Sequence, residues 1–191
     1  MDLLGGLKTE IFRPVIMLMV PGLVVEGPAI FVLQHYQSDL FGVIKSQPTL
    51  FTFIGFIAAV ILGILTYEIG TNIEAHWIDK RLKKERPKFD DEWYMFLRCT
   101  LPERTVAQDY LNDRVLYLKF ELGMASALPL CLMFSTWAWI IRNDFYTKWF
   151  VILLIVIIIS TTYFLFEAKQ SGAGLARLRN ELLKGIGDPP L

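Results

Sequence analysis

A chain of 191 residues that is 54% hydrophobic, carries 19 basic against 19 acidic side chains and has a mean hydropathy of +0.44 is too apolar for an ordinary soluble domain. Its balanced charge gives a nucleic-acid partner no electrostatic support, and none is expected. Two cysteines, Cys99 in charged sequence and Cys131 in apolar sequence, provide neither a disulfide framework nor zinc spacing.

The length suits a single domain over residues 1–191. Four segments are apolar and long enough to cross a hydrocarbon core about 30 Å thick, at about 14–34, 49–70, 115–141 and 149–166. Backbone groups in lipid must be bonded within their own segment, so all four are expected to be helices. The expected fold is therefore all-α, a polytopic membrane protein with four transmembrane helices. The N-terminal apolar run is too long and interrupted for a secretory signal, and Glu26 stands where a cleavage site would need small residues.

The first span is the least regular. Between Val20 and Pro28 it holds Pro21, Gly22, Glu26, Gly27 and Pro28. Two Pro–Gly pairs predict either a kink that improves packing or, together with Glu26, a helix that unwinds and exposes carbonyl groups, as the discontinuous helices of transporters do around ion sites. Glu26 lies twelve residues past Pro14, about 18 Å along the helix and hence near mid-membrane. A carboxylate there costs at least about 2.5 kcal/mol to insert and is expected to face protein or water. Three roles compete: a ring of Glu26 lining a cation path, a protonatable switch, or a packing contact. Ser126, eleven residues into the third span, is the expected hydrogen-bond partner at that depth.

The second span is expected to continue as a helix to about Glu85, because Ile69, Ile73, Trp77 and Arg81 recur every four residues. Arg86-Pro87 ends it. The basic run that holds Lys80, Arg81, Lys83 and Lys84 suits a patch against anionic lipid headgroups, although a topology determinant with no specific lipid explains it better. A short amphipathic helix is expected after Asp90-Asp91-Glu92. The capping box Thr100-Leu101-Pro102-Glu103 then opens one helix that runs on to Ile141. The fourth span overruns too, with Leu175, Leu178 and Leu182 at helical spacing, and Asp188-Pro189-Pro190 stops it. Helical elements at about 71–114 and 167–187 thus form a stalk, which Ser171-Gly172-Ala173-Gly174 lets pack closely through Gly172 and Gly174.

Lys and Arg crowd the flanks of the N-terminus, the connection between spans two and three, and the C-terminus. Trp137, Trp139, Tyr146 and Trp149 gather at the opposite side. This bias predicts a plasma (inner) membrane protein with both termini and the stalk in the cytoplasm. Where spans meet the basic side, Glu68, His76, Lys119, Glu121 and Glu167 form a charge cluster, read as interfacial ion pairs of Lys119 with Glu68 or Glu121. A lone histidine, without the Glu-x-x-His spacing of di-iron bundles, supports no metal. With no P-loop, HExxH or Ser/His/Asp set, no catalytic residues and no cofactor are assigned, and the chain is not expected to be an enzyme.

The expected function is a homo-oligomeric, channel-like or membrane-perturbing assembly, with Glu26 and its Pro–Gly neighbours on the path. Control would come through the cytoplasmic helices, as for an effector of bacterial stress or phage defence. The alternative is a membrane anchor or scaffold whose stalk recruits a soluble partner. A membrane-embedded enzyme using the interfacial carboxylates ranks last.

Overall fold

The computed structural model describes residues 3–85, 91, 106–142 and 147–186, and these form helices with no strand among them. Helix α1 runs Leu3–Tyr36, α2 Ser38–Lys45, α3 Pro48–Ile73, a π-helical stretch Glu74–Asp79, α4 Lys80–Glu85, α5 Val106–Arg142 and α6 Thr147–Ile186. Four helical segments are long and apolar enough to cross a membrane: Val15–Tyr36, Pro48–Glu85, Tyr110–Ile141 and Lys148–Glu181.

The expected break in the first span does not occur. α1 is continuous through Pro21-Gly22 and Gly27-Pro28. Each proline removes one backbone donor, which a helix tolerates when neighbouring elements hold it in place. Here α3 and α5 pack along α1, with Pro21 seated on Gly123 of α5. Gly22 serves close approach instead of unwinding: a Cβ there would collide with the Ala59 carbonyl of α3. Gly63 meets the Leu18 carbonyl in the same way.

These contacts form one antiparallel register. Leu18 sits against Gly63, Gly22 against Ala59 and Glu26 against Gly55, so four residues up α1 match four down α3. Two further contacts continue the stripe onto α5, where Gly70 lies against the Leu122 backbone and Thr66 against Ser126. α3 therefore buries Ala59, Gly63, Thr66 and Gly70, while Phe53, Phe56, Ile57, Ile61 and Leu65 point outward. Small residues inside and bulky apolar ones outside is the packing rule of helices in lipid, where close backbone approach and not hydrophobicity favours association.

α1, α3 and α5 make a three-helix bundle, and α6 leans mainly on α5. The upper half of α6 is bare: from Val151 to Phe166 only Ile157 is buried. Its lower half attaches through Ala168, Ser171, Gly172 and Ala176. A cluster of Ile78, Leu118, Leu122 and Ala168, with Ile73, Leu82 and Leu175 around it, ties α3, α4, α5 and α6 together at the basic end. The stalk helices thus cover part of one another's apolar faces, as their periodicity predicts. Gly172 presses on Ile78, whereas Gly174 is exposed, with nothing within 4 Å of where a Cβ would lie.

Helical continuity from the second span to Glu85 agrees with the sequence expectation, with two additions. The π-helical stretch inserts a wider turn at Glu74–Asp79, and α2 forms the connection between the first two spans. At the opposite end, Trp139 stacks on Phe150 at 5.0 Å and Tyr36 meets Trp137 edge-on at 6.2 Å. The capping box at Thr100, the Asp90–Glu92 helix start (Asp91 itself is helical), Cys99, Tyr146 and the Asp188 stop lie outside the described residues.

Candidate functional site

Glu26 is brought to the α1–α3 seam and is 7% exposed. A Cβ on Gly55 would lie 3.1 Å from Glu26 Oε1, so the absent side chain of Gly55 is what makes room for the carboxyl group. Among the described residues Glu26 forms no hydrogen bond and no ion pair. Its carboxyl oxygens are not fully enclosed, but a carboxyl group with no bonding partner in an apolar seam is costly, because little replaces the hydration it loses.

The expected partner, Ser126, is engaged elsewhere. Its Oγ lies 2.6 Å from the Thr66 carbonyl oxygen and 2.9 Å from that of Gly123, and its hydroxyl donates there. Thr66 in turn donates to the Gly63 carbonyl at 2.9 Å. Along α3 the bond to Thr66 sits eleven residues, about three helical turns, toward the basic end from Gly55, the level of Glu26, and it locks α3 to α5. Of the Pro–Gly residues, Pro21 and Gly22 are buried in the bundle. Pro28 is half-buried toward α5 and α6, and Gly27 is exposed with no neighbour within 4 Å. The five residues around Glu26 therefore do not converge on one site.

The charge cluster also divides. Lys119 pairs with Glu74 at 2.6 Å, not with Glu68 or Glu121, and lies 3.4 Å from the Thr71 hydroxyl and 5.2 Å from the centre of the Tyr67 ring. The pair is largely shielded, at 23% and 21% exposure. The pairing follows the register: α3 and α5 run antiparallel, so the step from Ser126 to Lys119 leads down α3 from Thr66 to Thr71 and Glu74. His76 faces outward, its ring nitrogen 3.0 Å from the Asn72 carbonyl oxygen.

Glu121 lies on the side of α5 that faces α6, in the neighbourhood of Glu167 and Ser171 of α6 and Arg114 of α5. Glu121 Oε2 is fully enclosed with no partner. Arg114 is itself held by Tyr110, Nε to hydroxyl at 2.8 Å. Among the described residues no three His, Cys, Asp or Glu side chains converge on a common point.

Of the basic run, Arg81 pairs with Glu85 at 2.9 Å on an open surface, and Lys80, Lys83 and Lys84 are exposed. An exposed pair of this kind contributes at most about 1 kcal/mol.

The sequence reading did not single out Gly55, Ala59, Gly63, Thr66 and Gly70. Their 4-4-3-4 spacing of small residues within a bulky apolar segment is the signal that would have found them. No family model, curated protein or solved structure matches the chain.

Proposed function

We infer that the chain is a multi-pass plasma (inner) membrane protein with both termini and the basic helical overhang in the cytoplasm. In this reading it works as a homo-oligomeric, channel-like or membrane-perturbing assembly in which Glu26 is the functional group. The observation that carries the reading is Glu26 itself, buried in the α1–α3 seam without a bond among the described residues. Unpaired ionisable groups at this depth are expensive and mark ion or proton pathways.

With α1 unbroken, its backbone offers no carbonyl ring, so the side chain has to do the chemistry. A carboxyl group held between two helices of one subunit favours a gate or protonatable switch over a pore-lining ring. Gaining or losing one charge in the tight Gly22–Ala59 seam would bias α1 and α3 between packed and parted arrangements. Control from the cytoplasmic overhang is compatible with the Ile78 cluster, which joins all the long helices except α1. A role as an effector of bacterial stress or phage defence is one setting for such an assembly.

A second reading, an anchor or scaffold for a soluble partner, draws on the exposed Trp77 and Tyr110 of the overhang. The enzyme reading has least to draw on, because its carboxylates fall on two faces of α5. The test is ion and proton flux in proteoliposomes, together with the oligomeric mass in mild detergent. The pore or switch reading expects an oligomer whose flux changes at least tenfold in Glu26→Gln. A monomer, or unchanged flux, overturns it.

A further inference from the structure

A half-open cavity of about 440 Å³ lies between α1, α3 and α5, on the basic side of the Gly22–Ala59–Gly63 crossing. Its walls are Met17, Pro21, Ile64, Leu116 and Phe120, and Gly63 and Gly123 form its floor. Among the described residues its polar side chains, Tyr67, Glu68 and Lys119, all lie toward the basic end. The cavity is thus graded, apolar where the helices are tightest and polar where they part. This is the profile of an amphiphile whose tail enters the bundle and whose head stays at the interface.

The charges at the mouth specify the head. Lys119 is directed to Glu74 and Thr71 and keeps one N–H free of them. The Glu68 carboxylate is exposed and forms no hydrogen bond or ion pair among the described residues. Glu68, Glu74 and Lys119 together carry one net negative charge. A purely anionic head would bring a second negative charge beside Glu68. A head with both phosphate and primary ammonium satisfies both groups, the phosphate on Lys119 and the ammonium on Glu68. A choline head carries the same charge but has no N–H to donate to a carboxylate.

We propose that this cavity is a binding site for one chain of a phosphatidylethanolamine-type lipid from the leaflet at the basic end. The proposal rests on the membrane reading above and is independent of Glu26.

The test uses the full chain in nanodiscs of equal parts phosphatidylethanolamine, phosphatidylglycerol and phosphatidylcholine. Re-extraction in mild detergent is followed by native mass spectrometry of the lipid retained. The wild type is expected to hold one phosphatidylethanolamine, enriched about threefold to tenfold, the ratio expected from one ordinary hydrogen bond at an exposed site. Glu68→Gln is expected to lose that preference while still holding a lipid. Leu116→Trp and Ile64→Trp, which fill the cavity, are expected to hold none. Because Ile64 is already half exposed, that variant should fold normally, and its melting curve controls for this. Equal retention of the three lipids, preference for phosphatidylglycerol, or lipid unaffected by Ile64→Trp each overturns the proposal. Failure to enter nanodiscs at all overturns the membrane reading with it.

Discussion

The α1–α3–α5 bundle and the upper half of α6 are both apolar, yet they are built on opposite rules. α3 turns Ala59, Gly63, Thr66 and Gly70 inward, and its neighbours approach until backbones touch. α6 carries the most uniform run, FVILLIVIII, and buries only Ile157 along it. Below Phe166, where Ala168, Ser171, Gly172 and Ala176 appear, α6 docks. Apolarity tells which helices can lie in lipid, and small residues tell where they meet one another.

The comparison can be broken most sharply at Gly22. Gly22→Leu drives a side chain into the Ala59 carbonyl, which cannot yield as a side chain would. We expect a cost of about 3 kcal/mol or more and loss of monodisperse protein. Gly27→Leu, five residues on with open space around it, should cost little. Equal behaviour in thermal melts of the two variants would contradict the register. An intermediate effect is expected from Ser126→Ala. It removes the bond to the Thr66 carbonyl and should cost about 0.6 kcal/mol, and no more than about 1.7, in a denaturation assay in mixed micelles. The smallest effect belongs to α6. Ile159→Ala, at a position 63% exposed, should stay within about 0.5 kcal/mol by the same assay, and a larger loss would mean that another surface covers this face.

The legible part of the sequence was what hydropathy and helical spacing carry. The four long apolar helices, the continuation of α3 to Glu85 and the single long helix to Arg142 all follow from it. Proline misled the reading of α1. Pro21 and Pro28 argue for a break only when the helix stands alone, and here α3 and α5 brace it. The pairing of Lys119 depended on the α3–α5 register, which no local pattern encodes, and so Glu74 could not be chosen over Glu68 or Glu121. Glu26 was legible as an anomaly, but its position against Gly55 needed the small-residue ladder of α3.

A protonatable switch at Glu26 requires that water reach the carboxyl group when α1 and α3 part. In a Cys99→Ala, Cys131→Ala background, Glu26→Cys and Leu23→Cys can be exposed in sealed proteoliposomes to a charged, membrane-impermeant thiol reagent. Leu23 lies three residues away on α1 and is 51% exposed on the outer surface of the bundle. The switch reading expects rapid modification at position 26, with a change in flux, and none at position 23. No modification at position 26, or equal modification at both, would contradict it.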